Sequence, residues 1–326
     1  MRFSAAMARI LTAGMLLIFA GAVFAQQAYP NKPVHYVVAF SAGDAPDITA
    51  RLVGDRLSRM WGQQVLVENR VGAGGTIAGA YVASAPPDGY TLLHCNIATN
   101  AIAAAQYEKL PYDGVRSFAP VSRVAMTPNV LVVHPSLPAT TVAEFVAYAR
   151  ANPGKVSYGS SGVGASPHLS MELFKSIAHI DVVHIPYKGA NPAVADLIGG
   201  QIPAMISNIP SVLAHIQSGK VRALAVTGPK RMPQLPAVPT MIESGFPGFV
   251  VTSWFGMCAP AGTPTPILDK LNTDLVKVLQ MPDLVQRFSE VVAEAAPQSR
   301  EEFAAFMRAE MTRWAQVVKD AGIPRQ

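Results

Sequence analysis

The strongest constraint in this sequence is an alternation of short apolar runs with amphipathic segments. Residues 34–40 are almost continuously apolar, as in a strand buried on both faces of a parallel sheet. Residues 48–60 then carry apolar side chains at helical spacing. Further strand-like runs follow at residues 64–68 and 90–95, with a helix of small residues between them. This order predicts an open α/β sheet with right-handed crossovers.

The middle of the chain repeats the same pattern, and the end is helical. Further strands are predicted at residues 130–133, 156–161, 182–185, 204–207, 221–227 and 250–259. Residues 228–239 are proline-rich and aperiodic, which suits a surface path between two lobes. Two helices, at 266–280 and 301–320, complete the chain, and the apolar stripe of the last one is interpreted as core packing.

The N-terminus has the layout of a secretory signal peptide. Arg2 and Arg9 flank a positive region, residues 10–20 are apolar, and Val23-Phe24-Ala25 provides the small-residue motif for cleavage after Ala25. The apolar run is shorter than the ~20 residues that a membrane-spanning helix needs. Export to the periplasm and removal of residues 1–25 are therefore predicted.

Composition excludes several classes of protein. Half of the 326 residues are hydrophobic and 14% are charged, which is typical of a well-cored globular chain. Without Arg2 and Arg9, 24 basic and 21 acidic side chains leave a net charge of +3. This charge is too small to indicate nucleic-acid binding. The only two cysteines, Cys95 and Cys258, end strand-like runs, so both a disulfide and two buried free thiols are compatible with the sequence.

Three strand-to-helix loops share one construction. Asp44, Ser166 and Asn191 each lie just before a proline-containing helix start and are predicted N-caps, with Asp47 answering Asp44 from the third helical position. Helix starts leave N–H groups and partial positive charge at the sheet edge. Several of them meeting in a cleft would bind a carboxylate without any arginine. Ordinary helix capping is the alternative.

Enzyme motifs match poorly. Gly72-Ala-Gly-Gly-Thr-Ile77 lacks the third glycine of a dinucleotide fingerprint, and Gly159-Ser-Ser-Gly-Val163 lacks the second glycine of a nucleophile elbow. The seven histidines form no metal-binding spacing, so no metal site and no cofactor are predicted. A periplasmic hydrolase using Ser161 or Ser166 with His168 stays open as a less favoured hypothesis.

Motifs along the whole mature chain resemble the Bug family, the periplasmic substrate-binding components of tripartite tricarboxylate transporters. The resemblance is carried by Tyr29-Pro-Asn-Lys-Pro33, the loop at 40–47, Val67-Glu-Asn-Arg70, Gly72-Ala-Gly-Gly75, Pro86-Pro-Asp-Gly-Tyr90, residues 159–168, Pro186-Tyr-Lys-Gly189, Asp196-Leu-Ile-Gly-Gly-Gln201, Trp254-Phe-Gly and Ala259-Pro-Ala-Gly-Thr-Pro264. It implies an α/β, type II periplasmic-binding-protein fold with two lobes and a ligand cleft between them. Lobe 1 would comprise residues 26–125 and 229–326 and lobe 2 residues 126–228, with crossings near 123–127 and 226–229.

The resemblance also implies a solute-binding protein that is not an enzyme. As a monomer, it would bind its ligand between both lobes and deliver it to membrane permease subunits. The alternative is a sensor protein that presents the bound ligand to a receptor. The implied ligand-binding residues are Phe40, Ser41, Ala42, Gly43, Asp44, Asp47 and Asn96 in the first lobe, Ser160, Ser161, Gly164, Ala165, Ser166, His168, Tyr187, Ser207 and Asn208 in the second, and Trp254.

The ligand is expected to be a small organic carboxylate, either a dicarboxylate or an aromatic one. An aromatic ring would fit if Phe40, Tyr187 and Trp254 enclose it, and packing of the lobes is an equal alternative for these side chains. The chain departs from the family pattern at Asp44, where glycine is usual. A carboxylate there would either cap a helix or meet a hydrogen-bond donor on the ligand.

Overall fold

The structure is a computed structural model that describes residues 29–323 and residue 325. The predicted signal peptide lies outside the described residues. Within the described part of the chain, no helix has the length and apolarity needed to cross a membrane.

Ten strands form the sheet framework in the described part of the chain. They are β1 (Val34–Val38), β2 (Val65–Asn69), β3 (Thr91–Asn96), β4 (Phe118–Val133), β5 (Ser157–Ser160), β6 (Val183–Pro186), β7 (Ala204–Asn208), β8 (Arg222–Val226), β9 (Thr252–Pro260) and β10 (Glu294–Ala295).

Helices connect most of these strands. They are α1 (Ala45–Trp61), α2 (Thr76–Ala83), α3 (Ala103–Gln106), α4 (Val142–Ala151), α5 (Ser166–Ala178), α6 (Ala190–Ile198), α7 (Ile209–Gln217), α8 (Thr265–Leu279), α9 (Pro282–Glu290) and α10 (Arg300–Asp320), with short 3₁₀ and π turns at Ala73–Gly75 and Ala98–Ile102.

The sheet is mixed. Strand β1 pairs in parallel with β2 and β3, and β5 pairs in parallel with β6 and β7. These are the strands joined by helical crossovers, as the strand–helix alternation predicts. The long strand β4 instead runs antiparallel to β7, β8, β9 and β10.

Strand β4 belongs to two lobes. Its residues up to Pro128 pair with β9, and from Asn129 onward the partners are β7 and, from Val130, β8. The first lobe therefore contains β1, β2, β3, β9 and β10, and the second contains β5 to β8. The predicted α/β fold with two lobes is confirmed.

The contacts of residues 240–249 favour a second crossing between the lobes that lies later in the chain than predicted. Thr240 bridges to Val226, and the rings of Phe246 and Phe249 pack against Phe174 of α5. These contacts hold parts of the segment predicted to lie in lobe 1 against the second lobe, while Gln234 of the same segment donates to the carbonyl of Ser289 on α9. The proline-rich composition of residues 228–239 predicted a surface path, and most of these residues are at least partly exposed. The composition could not predict the aromatic contacts that Phe246 and Phe249 make further along the segment. We propose lobe boundaries at 128/129 and 251/252.

The predicted apolar face of α1, at Ile48, Leu52, Leu57 and Met60, is only partly buried. Leu57 is completely buried together with Ala50 and Val53, whereas Met60 is 36% exposed. The stripe on α10 is also core, since Phe303, Met307 and Trp314 have no exposed surface.

A disulfide joins Cys95 of β3 to Cys258 of β9, and it closes a loop of 163 residues in sequence. The two strands are neighbours, and both half-cystines are fully buried. The disulfide interpretation, rather than two free thiols, is the one the structure shows.

Replacing both cysteines by alanine is expected to lower the free energy of unfolding by about 2–5 kcal/mol, because the long loop regains its freedom in the unfolded chain. Urea unfolding of the oxidised and double-alanine proteins measures this. An unchanged midpoint would contradict the structural role of the disulfide.

Candidate functional site

A small cavity of about 20 Å³ lies where the two lobes meet, which is room for about one water molecule in this closed state. Its wall consists of Phe40, Asp44, Pro46, Asn96, Ile97, Ala98, Ser161, Ala165, Ser166, Pro167, Ala190, Asn208, Ser211, Ser253 and Phe255. Among the described residues, this wall contains no lysine and no arginine.

Four helices begin at the cavity. The first residues of α1, α5 and α6, and Asn208 just before α7, all contribute to its wall. Helix N-termini present N–H groups and partial positive charge. The convergence therefore places the partial positive charge of several helix starts at the cavity without a cationic side chain.

Of the three predicted N-caps, Asp44 is confirmed in position, and Ser166 and Asn191 are wrong. Asp44 occupies the N-cap position of α1, but its side chain makes no capping bond to that helix. Ser166 and Asn191 lie inside their helices, since α5 is preceded by Ala165 and α6 by Gly189 at the cap positions.

Helix starts are capped from the opposite lobe instead. The N–H of Ala45, at the start of α1, donates to Oγ of Ser211 on α7 at 3.1 Å. The N–H of Ala190, at the start of α6, donates to Oδ2 of Asp44 at 3.0 Å. Each lobe thus satisfies an orphan donor of the other, and these bonds exist only when the cleft is closed.

Two more hydrogen bonds join the same edges. Ser41 Oγ donates to the carbonyl of Lys188 at 2.8 Å. Asn191 Nδ2 donates to the carbonyl of Ala42 at 2.7 Å. The loop at 40–44 and the start of α6 therefore form one side of the closed cleft.

Asp44 is buried in this contact, with 2% of its surface exposed. Burial raises the pKa of Asp44 to about 6, although the N–H groups of Ala190, Asn191 and Ser41 oppose the increase. Its Oδ1 atom is buried and has no hydrogen-bond partner among the described residues.

Asp47 has a different environment one turn away. Burial opposes its charge, but bonds from Arg51, the N–H of Gly43 and Asn69 outweigh it and hold the pKa of Asp47 below its usual value. Asp47 was predicted to hydrogen-bond the backbone at the start of the helix, and it does so by accepting from the N–H of Gly43. Asp47 itself is not part of the cavity wall.

The floor of the cavity is a polar network on the crossing strands. Asn129 of β4 donates to Ser166 Oγ at 3.0 Å and to Ser170 Oγ at 2.9 Å. Asn208 and Ser166 are both bonded to Ser253 of β9, each at 2.8 Å. Residues of the wall are therefore tied to the segments where the lobes cross.

The structure brings together part of the predicted ligand set. Those that line the cavity are Phe40, Asp44, Asn96, Ser161, Ala165, Ser166 and Asn208. Those that lie outside its wall are Ser41, Ala42, Gly43, Asp47, Ser160, Gly164, His168, Tyr187, Ser207 and Trp254.

The predicted aromatic enclosure is not formed. The Trp254 ring is fully buried, packs against Phe303 and Phe306, and donates its indole N–H to Glu310 at 3.0 Å. The prediction that it lines the cleft is therefore wrong. Tyr187 borders an adjacent cavity and donates its hydroxyl to Asp196 at 2.7 Å.

The serine and histidine residues of the hydrolase hypothesis do not form a catalytic pair. His168 accepts a hydrogen bond from the N–H of Gly164 and stacks on His184, whose ring is bonded to Ser160 Oγ at 2.7 Å. Within the described part of the chain, His168 makes no hydrogen bond to Ser161 or Ser166. Burial lowers the pKa of His168 to about 4 and that of His184 to about 3, so both rings are neutral packing elements at pH 7.

Sequence reasoning missed several wall and floor residues, notably Asn129, Ser211 and Ser253. The sequence feature that could have indicated these residues is a polar side chain inside or beside a strongly apolar strand. Asn129 precedes four completely buried residues, 130–133, and a buried amide at such a position needs partners nearby.

Comparison with known proteins defines the class and then the family. Residues 49–323 match the tripartite tricarboxylate transporter family receptor. The chain is 38% identical to Protein BugT of Bordetella pertussis over 320 residues, which is 97% of this chain and 98% of BugT.

Two solved structures are also similar. The structure of R. palustris Rpa4515 with adipate has a TM-score of 0.89 and 39% identity, and the match covers 91% of this chain and 100% of that one. MatC from Rhodopseudomonas palustris with bound malate has a TM-score of 0.85 and 33% identity, and the match covers 89% and 100%. Fold and site thus define a periplasmic solute-binding protein. The chain belongs to the Bug family of tripartite tricarboxylate transporter receptors.

Gly189→Ala is expected to hold the lobes apart, because a Cβ there would lie 2.1 Å from Ser41 Oγ across the cleft. The amide of Ala45, which lies on the other lobe, would lose its bond to Ser211 and exchange with solvent about tenfold faster or more. Hydrogen exchange measured by NMR tests this. Gly219→Ala is the control, since it also has a positive φ but nothing within 4 Å; equal exchange in both variants would refute the closure contact.

Asp44→Asn is expected to stabilise the protein at pH 7.5 relative to pH 4. With a pKa raised from 3.8 to about 6, the stabilising contribution of wild-type Asp44 is fully present below pH 3.8 and is lost as pH rises through 6. The gain of the variant should therefore grow by about 1–3 kcal/mol between the two pH values. Chemical unfolding at both pH values, with exposed Asp55→Asn as control, measures it, and a pH-independent difference would contradict the burial of Asp44.

Proposed function

We propose that this protein captures a small organic carboxylate between its lobes in the periplasm and, as a monomer, delivers it to the permease subunits of a tripartite tricarboxylate-type transporter, without chemical conversion. The observation that carries the proposal is the meeting of four helix starts at one interlobe cavity. Helix N-termini bind anions through backbone N–H groups.

The composition of the cavity wall supports an anion that is small. Hydroxyl and amide groups of Ser161, Ser166 and Asn208 stand beside apolar Phe40 and Phe255. Such a wall supplies hydrogen bonds to a carboxylate and apolar contacts to a short carbon skeleton. Related structures with adipate and with malate are consistent with this class of ligand.

In the proposed binding cycle, the lobes close around the ligand and open to release it. The interlobe bonds of Ala45 and Ala190 form in the closed state, so a ligand in the cavity is enclosed by two surfaces that separate on opening. Hinge closure of this kind couples capture to a change of shape that a membrane partner reads.

Small organic carboxylates, screened as a panel that includes adipate and malate, are expected to stabilise the purified mature protein against heat and to be recovered unchanged. A ligand at 100 times its Kd adds ~2.7 kcal/mol to the free energy of unfolding. Ser161→Ala, which removes a hydroxyl from the wall, should weaken binding by about 3- to 10-fold. Calorimetric titration measures the affinities, and the exposed Ser136→Ala serves as control.

Delivery is measured by uptake of radiolabelled ligand in cells that contain the cognate permease with and without this protein. Uptake that does not depend on the protein would refute transport. Absence of stabilisation by any aliphatic or aromatic carboxylate would refute the binding function itself.

A further inference from the structure

The buried carboxylate of Asp44 is the one acidic group in the wall of the interlobe cavity among the described residues. Its Oδ2 atom accepts the N–H of Ala190 at 3.0 Å. Its Oδ1 atom is equally buried and accepts no hydrogen bond from any described residue. A buried, unpaired carboxylate oxygen is costly unless a partner arrives.

Among the described residues, no lysine, arginine or histidine forms an ion pair with Asp44. The neighbouring carboxylate, Asp47, is the one that pairs with Arg51, at 2.9 Å. The wall itself has no lysine or arginine within the described part of the chain. Burial raises the pKa of Asp44 to about 6, so its carboxyl group remains largely ionised above neutral pH.

Asp44 also occupies one of the helix starts that would otherwise receive an anion. The N–H of Ala190 at the start of α6 is already bonded to it, and Gly189 lets the two approach, since a Cβ there would lie 3.1 Å from Oδ2. The anion-binding capacity that remains belongs to the other helix starts, above all that of α5 with Ser166.

A second carboxylate on the ligand would face Asp44 at short range in a site of low dielectric, where like charges repel strongly. A donor on the ligand would have the opposite effect, because it would complete the hydrogen bonding of Oδ1. A cationic ammonium does this with charge assistance, and a hydroxyl does so without it.

We propose, resting on the carboxylate-binding function above, that Asp44 is a specificity-determining residue that selects carboxylates carrying a hydrogen-bond donor, foremost an ammonium group, over dicarboxylates. The ligand carboxylate binds at the start of α5, and the ammonium group donates to Oδ1 of Asp44. The site then holds a zwitterion whose two charges each have a partner.

The test uses matched ligands on the full mature protein at pH 8, measured by calorimetric titration. Each set contains four carboxylates with either four or six carbons that differ in one group. That group is methyl, hydroxyl, ammonium or a second carboxylate, and within one set it lies either at the far end of the chain or at carbon 2. Examples are butanoate, 4-hydroxybutanoate, 4-aminobutanoate and butanedioate. Wild type, Asp44→Asn, Asp44→Gly and the surface control Asp55→Asn are compared.

In at least one set, wild type and Asp55→Asn should bind the ammonium member at least about 10-fold more tightly than the dicarboxylate, with the hydroxyl member between them. In Asp44→Asn and Asp44→Gly this ratio should fall to about 3-fold or less, and dicarboxylate binding should become tighter. Melting curves show that each variant is folded.

Two results overturn the inference while carboxylate binding stands: wild type that prefers the dicarboxylate in every set, or a ratio that survives both Asp44 substitutions. The first needs no variant, so a folding defect does not obstruct the test. Binding of no member of any set would overturn the proposed function as well, which distinguishes the two failures.

Discussion

The architecture depends on one long strand that belongs to both lobes. β4 has 16 residues, and its pairing partners change between Pro128 and Asn129. Because ladder hydrogen bonds continue on both sides of this point, neither lobe can be displaced without bending the strand. Relative motion is thereby confined to the crossing segments, and the cavity lies where those segments meet the helix starts. The position of the site is a consequence of this shared strand.

Closing the cleft changes how backbone donors are satisfied. In an isolated lobe, the first N–H groups of α1 and α6 would be left to water. In the closed structure, Ser211 and Asp44 of the opposite lobes accept them. The closing energy is therefore partly polar and strongly directional. This explains why residues that look like local helix caps act across the cleft instead.

Much of the framework was predictable because it rests on local patterns. Apolar runs located the strands, helical spacing located α1 and α10, and the glycine- and proline-rich loops located the helix starts. What the sequence could not supply was the partner of each polar side chain. Asp44, Ser166 and Asn191 have the composition of caps, yet their contacts depend on how far apart the lobes stand. The prediction that Trp254 lines the cleft was wrong for a related reason. An aromatic side chain in a strand can pack on either face of the sheet, and the hydrogen-bond partner of Trp254, Glu310, is 56 residues away in sequence.

Ligand contact and hinge geometry share atoms in this structure. Asn208 and Ser166 line the cavity, and both bond to Ser253 on β9 beside the point where β4 changes partners. A carboxylate that recruits the Asn208 amide must redistribute these hydrogen bonds, because both N–H protons of that amide are already donated, to Asn129 Oδ1 and Ser253 Oγ. The network that fixes the angle between the lobes is then altered by the same event that fills the cavity. Coupling of occupancy to closure therefore requires no distant pathway, since the floor of the site is itself part of the hinge.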